Sequence, residues 1–223
     1  LTHDFTWTSG LTFSINRNEV TKLYSESSAI SGINGNETLT YTMVGEPVGQ
    51  FYGYKVIGMF KEESDFYKKD ADGNFQLDEA GNRIRIAIPK GQQISKNGIW
   101  VGDYIYEDLH EDGVIDEKDR TFLGNPAPKF TFGFNNYFAY KGFDLNIFLN
   151  GSVGNKAVNL IRRTFTDPMR NSNLLKEATD IALIGMHDPE VGDEELSNVY
   201  IVNADRAKVQ RVTTSSANDN NRI

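Results

Sequence analysis

The first 16 residues alternate with a period of two, and no other feature constrains the chain as tightly. Odd positions read Leu1, His3, Phe5, Trp7, Ser9, Leu11, Phe13 and Ile15; even positions read Thr2, Asp4, Thr6, Thr8, Gly10, Thr12, Ser14 and Asn16. Successive side chains of a strand point to opposite faces, so this run predicts one aromatic-aliphatic face and one face of small or polar groups. The pattern returns at 130–140, where Phe130, Phe132, Phe134, Phe138 and Tyr140 share a face interrupted only by Asn136. After Lys141-Gly142 it starts again with Phe143, Leu145, Ile147, Leu149 and Val153. Two alternating runs joined by a very short turn containing Gly predict an antiparallel hairpin.

The connections decide where such strands belong. Residues 17–127 and 154–223 are long, and within the second, Asn155–Phe165 and Ser172–Ile184 are weakly helical, with Pro168 and Pro189 as breakers. The polar stretch from Thr213 to Asn221 has no periodicity and reads as loop. A β-sandwich also has an apolar inner face, but it seldom needs connections beyond about 15 residues. Outer-membrane barrels combine short turns at one end with long loops at the other. The expected fold is therefore all-β, a segment of a large antiparallel transmembrane β-barrel with long extracellular loops and short loop helices. On that layout 1–16 is a membrane strand, 17–127 an extracellular segment, 128–153 a membrane hairpin and 154–223 a second extracellular region. Three strands cannot close a barrel, and an open edge in hydrocarbon leaves unpaired backbone groups at several kcal/mol each. The expectation is a segment of a longer polypeptide, without the closing strands.

Composition removes several alternatives. A net charge of −8 argues against a nucleic-acid binder, which would show a basic face. The absence of cysteine excludes disulfide scaffolds, thiolate metal sites and cysteine nucleophiles. No apolar run approaches the roughly 18 residues of a membrane helix. The polar average is no objection to a barrel, because membrane strands alternate and keep their mean hydropathy low.

Three stretches then carry a family likeness. The first is Val48-Gly49-Gln50-Phe51-Tyr52-Gly53-Tyr54 through Gly58-Met59-Phe60; the second runs from Val101-Gly102-Asp103-Tyr104 through Asp119-Arg120 to Leu123-Gly124-Asn125-Pro126. The third is Phe130–Phe134 with Tyr140-Lys141-Gly142-Phe143-Asp144-Leu145 and Gly151–Asn155. In order and spacing they resemble the C-terminal part of the barrel domain of SusC/RagA-type TonB-dependent transporters. The resemblance implies a Bacteroidetes outer-membrane importer with a barrel of about 22 strands filled by an N-terminal plug. It also implies a SusD-like surface lipoprotein as lid, energy from TonB, and an oligosaccharide or peptide cargo. Neither plug nor TonB-binding segment is in this sequence.

One loop suggests a metal. Asp108 to Asp119 has EF-hand-like spacing, with Asp108, Asp112, Asp116 and Asp119 at positions 1, 5, 9 and 12, Gly113 at the sharp turn and the Val114 carbonyl at position 7. His110 stands at position 3, where oxygen is expected, and Asp119 replaces the usual long Glu. The set Asp108, His110, Asp112, Val114, Asp116 and Asp119 is a candidate Ca²⁺ site, with a solvated Asp-Gly turn as the plainer alternative. Asp70-Ala71-Asp72-Gly73-Asn74 resembles the start of a second such loop, but alternation on both sides of Gly81-Asn82 reads better as a surface hairpin.

Phe51, Tyr52, Tyr54 and Trp100 are candidate stacking platforms for sugar rings, against the alternative of packing within a large loop. The three histidines are far apart, no Ser lies in a nucleophile elbow, and the acidic pairs read as solvated faces, so no enzyme activity is expected. The expected function is a part of a TonB-dependent nutrient importer. The alternative is a secreted carbohydrate-binding module with a calcium-stabilised loop, which would bury the row Phe130, Phe132, Phe134 and Phe138 in its own core.

Overall fold

In the computed structural model, which describes residues 4–25, 29–34, 37–166 and 173–213, the alternating runs lie side by side in one antiparallel sheet. In chain order the strands are β1 (Phe5–Ser14), β2 (Ile30–Asn34), β3 (Glu37–Thr42), β4 (Gln50–Tyr54), β5 (Val56–Met59), β6 (Ile88–Pro89), β7 (Tyr104–Tyr106), β8 (Val114–Ile115), β9 (Arg120–Gly124), β10 (Phe130–Tyr140), β11 (Phe143–Val153), β12 (Ile184–Met186) and β13 (Val199–Ile201). The α-helix among the described residues is α1 (Leu160–Phe165). The chain divides into two units, Leu1–Gly53 with Phe122–Val158 and Tyr54–Thr121 with Asn159–Ile223.

The first unit contains the sheet β1-β10-β11. β1 has 10 residues and the other two have 11 each, close to the roughly 9–11 that cross a bilayer at a tilt. The register places Trp7 opposite Phe138, Leu11 opposite Phe134, and Phe134 and Phe138 opposite Leu149 and Leu145. The aromatic-aliphatic rows of the three strands therefore share one face, and Tyr137 and Phe148 are the large aromatic side chains on the other. The shared face is open: Leu11 is 71% and Phe143 80% exposed, and neither apolar core among the described residues includes any residue of these strands. Phe130, Phe132 and Phe138 are half-buried by their neighbours on the same face, and Phe134 is exposed.

Cross-strand contacts explain how such a face holds its register. The rings of Trp7 and Phe138 stack with centroids 6.1 Å apart, and Phe13 meets Phe130 at 5.2 Å. Asn136 interrupts the aromatic row, yet it is buried, and its Oδ1 accepts the Trp7 indole N–H at 3.1 Å. Two polar groups on an apolar face thus satisfy each other, which removes most of the cost of placing them there. Gly151 sits opposite Phe132, whose ring covers the space a side chain would fill; a Cβ there would lie 2.7 Å from it. The tight turn has positive φ at both central residues, 47° at Lys141 and 84° at Gly142, as a type I′ turn requires.

Topology follows from the register. Ser14, Phe130 and Val153 are at one end of the sheet, and Phe5, Tyr140 and Phe143 at the other. Both long connections therefore leave from the same end, and the two-residue turn closes the opposite one. The first connection contributes β2-β3-β4 and closes that sheet with β9, where Tyr41 stacks on Tyr52 at 4.7 Å and Tyr52 meets Phe122 at 5.4 Å.

The second unit has an apolar core of its own, built from Phe60, Phe66, Ile99, Trp100, Val101, Ala182, Val199 and Ile201. Phe60 and Phe66 stack at 4.0 Å and are almost fully buried. Residues from 54–121 and from 159–213 contribute to the same core, so the two long connections fold together. Of the helical expectation for 155–165 only the second half is met, by α1, with Asn159 as its N-cap and no regular structure over 155–159; within Ser172–Ile184 the described residues have the single 3₁₀ stretch Lys176–Asp180, and Ser172 lies outside them. From residue 214 the polar tail is also outside them.

The two faces of the sheet make a direct prediction. Ile147 and Asn146 are adjacent in the middle of β11 and point to opposite faces. Arg on the lipid face near the midplane of a barrel costs about 2–4 kcal/mol. In the full-length parent, Ile147→Arg is expected to lower outer-membrane assembly, read by heat-modifiable gel mobility, whereas Asn146→Arg leaves it near wild type. Equal effects would mean that the apolar face does not meet lipid.

Candidate functional site

The residues singled out as sugar platforms do not form one surface. Trp100 is 2% exposed and belongs to the core of the second unit, so it has no face to offer a ligand. Its backbone N–H donates to the buried Asp103 carboxylate at 2.9 Å, and its indole packs in a core completed by Ala182, Val199 and Ile201. Phe51 and Tyr52 lie half-buried on β4, with Tyr52 between Tyr41 and Phe122. Tyr54 packs against Tyr106 at 5.7 Å, beneath the Arg120 guanidinium at 5.1 Å. These rings are used by their own sheets and core.

Asp103 is the centre of the second unit. Its side chain is 1% exposed and accepts from Arg211, Nε to Oδ1 at 2.8 Å and Nη2 to Oδ2 at 3.2 Å. The same guanidinium donates to the carbonyls of Lys96 and Gly98 at 2.9 and 2.8 Å. Arg211 N–H donates to the Gly102 carbonyl at 3.0 Å, and Gly102, at φ +95°, leaves no room for a Cβ, which would lie 2.9 Å from that of Arg211. A charge pair is viable so far from water only with this complete set of donors and acceptors. The Gly102-Asp103 dipeptide was noticed in the sequence for its family likeness; its partner 108 residues later was not, because an isolated Arg carries no local signal.

The acidic loop has the outline of an EF-hand but uses its oxygens differently. Ile115, at position 8, is buried, and β8 pairs in parallel with β6. Asp108 Oδ2 accepts the Gly113 N–H at 2.9 Å, Asp112 Oδ1 that of Val114 at 3.1 Å, and Asp116 Oδ1 that of Lys118 at 2.9 Å. Asp119 is 1% exposed and takes the N–H groups of Leu109, His110 and Asp116. The exposed His110 ring is 3.6 Å from Asp119 through Nδ1, and the Val114 backbone belongs to β8. Asp108 Oδ1 is a buried oxygen without a hydrogen-bond partner. Among the described residues, no three His, Asp or Glu side chains converge as they would around an ion. Asp119, at position 12, caps backbone N–H groups inside the loop. Burial pushes the Asp119 carboxyl up, and the backbone donors outweigh it, so the net pKa is below the ordinary carboxylate value.

The second acidic stretch is built of two turns of the same design, where the sequence suggested one hairpin. Asp70 Oδ1 accepts from the N–H groups of Asp72 and Asn74, and Asp78 Oδ1 from those of Ala80 and Asn82. Backbone bonds from Lys68 to Ile84 and from Gln76 to Lys68 join the three runs into a small meander. Hydrogen bonds from Asn74 and from Asn82 are the largest influence on Asp70 and Asp78 respectively, and both carboxyls titrate below the usual range. Each Asp anchors its turn through N–H donors and gathers no ligand set.

A sheet of 10- and 11-residue strands, open on an aromatic face and joined by a tight turn at one end only, defines the class: a segment of an outer-membrane-type antiparallel β-barrel. No family model matches the chain. Among characterised proteins it is 32% identical over 160 residues to TonB-dependent receptor P3 of Formosa agariphila, and 33% and 30% identical over 163 and 165 residues to receptors P39 and P26 of the same organism. These matches cover 70%, 68% and 73% of this chain, and 14%, 15% and 14% of the relatives, so the chain spans about one seventh of their length. The chain belongs to the TonB-dependent receptor family, as a fragment of the β-barrel.

Two outcomes test this geometry. Removing one partner of a buried ion pair costs about 3–5 kcal/mol, so Asp103→Ala is expected to make the segments 54–121 and 159–213 cleavable by trypsin under conditions that spare the wild type. For the acidic loop the sign of the pH effect is fixed. The Asp119 carboxyl is depressed in the folded state, so its contribution is complete above the ordinary value of 3.8 and is lost as pH falls through the lower folded value. Loop cleavage in 108–119 should stay constant from neutral pH to about 4 and rise below it, and Asp119→Asn should raise it at neutral pH while Asp112→Ala changes it little. Acceleration by a chelator at neutral pH would show that a cation, not self-capping, holds the loop.

Proposed function

We propose that the chain is part of an outer-membrane, TonB-dependent active importer of the SusC kind, taking up oligosaccharides or peptides together with a SusD-like surface lipoprotein. The observation that carries the reading is the open aromatic-aliphatic face of β1-β10-β11, with both long connections leaving from one end. In a barrel that face meets lipid, the two-residue turn lies in the periplasm and the large second unit stands outside the cell. The receptor relatives support transport at that general level. The motif likeness around Gly49–Phe60 and Val101–Pro126 supports the SusC type and, through it, the lipoprotein lid and the oligosaccharide cargo. A secreted carbohydrate-binding module is less consistent with an aromatic row that lies outside both apolar cores.

The test is fractionation of source cells. Antiserum against 61–100 should label an outer-membrane band far larger than 25.1 kDa, with mobility that changes on heating. Disruption of TonB should abolish uptake of the cargo without removing the band, and affinity capture of the receptor should bring down a lipoprotein. A soluble band near 25.1 kDa would overturn the reading.

A further inference from the structure

The polar face of the sheet ends in a cavity of about 720 Å³, within the usual size range of small-molecule sites. It lies within the first unit, where the ends of the three strands meet: Asn16 and Arg17 follow β1, Lys129 precedes β10, and Gly154 and Lys156 follow β11. Register puts it on the face opposite the aromatic row. Phe130 pairs with Val153 on the apolar face, so Lys129 and Gly154, one position further on, point to the polar face. The Lys129 stem confirms it, lying across Gly154 where a Cβ would come within 2.8 Å.

Its charged lining is entirely cationic. Arg17, Lys129 and Lys156 contribute three cations and no Asp or Glu lines the cavity, in a chain with a net charge of −8. Among the described residues, neither Arg17 nor Lys129 forms a salt bridge, and both are exposed. Asn18 and Asn125 also line it, and both have turned their carbonyl oxygens to backbone N–H groups, of Val48 at 2.9 Å and of Ala127 at 2.8 Å. Those bonds hold each amide in place, and its two N–H donors carry no partner among them. Lys156 is fixed differently, its stem over Gly124 and its ammonium on the Leu123 carbonyl.

We infer that this cavity is a binding site for an anionic saccharide, holding a sulfate or carboxylate group between Arg17 and Lys129 while Asn18 and Asn125 donate to ring hydroxyls or further acidic oxygens. The inference rests on the importer reading and narrows it, since it gives the cargo a charge. A lining with three cations and no carboxylate repels cations and gives a neutral glycan no charge to pair with. An acidic glycan supplies acceptors and charge together.

The experiment uses the full-length parent receptor purified in detergent, with a heparin-derived hexasaccharide as the anionic probe and maltohexaose as the neutral one, titrated by calorimetry. The anionic probe should bind and weaken as salt is raised, and the neutral probe should bind much less. Replacing both exposed cations, Arg17→Gln with Lys129→Gln, should weaken the anionic probe about tenfold or more, the loss expected for charge-assisted contacts. An equal charge change elsewhere, Lys61→Gln with Lys118→Gln, should not. Failure of the anionic probe to bind, or equal weakening by the two double variants, overturns the inference. TonB-dependent uptake of a neutral oligosaccharide that the Arg17/Lys129 variant leaves unchanged would overturn it while leaving the importer standing. Absence of any TonB-dependent uptake would remove the importer reading itself.

Discussion

A backbone N–H or C=O in hydrocarbon has no water to turn to, and that constraint governs the sheet β1-β10-β11. β10 is paired on both sides, but β1 and β11 each have a neighbour on one side only. Their outer rows of polar groups need further strands before the sheet can sit in a bilayer. The aromatic face brings apolar surface outward, and the pairing requirement brings other strands in. Together they make the sheet a piece of a closed wall, which agrees with relatives about seven times as long. Even the polar exception obeys the rule, since Asn136 and the Trp7 indole satisfy each other across β1 and β10.

The second unit follows another logic. It is not a set of separate loops but a small apolar core assembled from two distant stretches of chain. Each stretch has too few large apolar residues to bury on its own: Phe60, Phe66 and Ile99–Val101 come from the first, Ala182, Val199 and Ile201 from the second. The Asp103–Arg211 pair ties the two where contacts are driest. Around this core the acidic turns are held by their own backbone. Asp70, Asp78, Asp108, Asp112, Asp116 and Asp119 all accept N–H groups from nearby residues, and a carboxylate surrounded by such dipoles gains much of what an ion would give it.

This division explains what was legible in the sequence. The strand pattern was, because alternation is a local signal and each face of the sheet repeats it; β10 and β11 begin and end close to where the pattern does. The type I′ turn at Lys141-Gly142 was legible for the same reason. The EF-hand outline of 108–119 was legible as a shape, with Ile115 inward and Gly113 at the bend; the capping of the Leu109, His110 and Asp116 N–H groups by Asp119 was not, since it depends on how the loop closes. Trp100 looked like a platform because aromatic residues in long loops often are; its burial depends on Asp103, Arg211 and a core completed by residues 80 to 100 positions away. The Arg17/Lys129 cavity left no trace either, because its members come from three separate strand ends.

The order of strands along the chain also sets an order of folding. β10 and β11 are adjacent in sequence and meet through two residues, so their pairing closes almost no loop. β1 must find β10 across 115 intervening residues, and the entropy of closing that loop is incurred before any contact returns it. The second unit is later still, because its halves flank the hairpin and its core is complete only when both are present. A parent chain emerging residue by residue would thus carry an unfinished second unit until the stretch after β11 is present. The burial of Phe66 and Val101 would then report that the stretches 54–121 and 159–213, separated in the chain by the hairpin, have met.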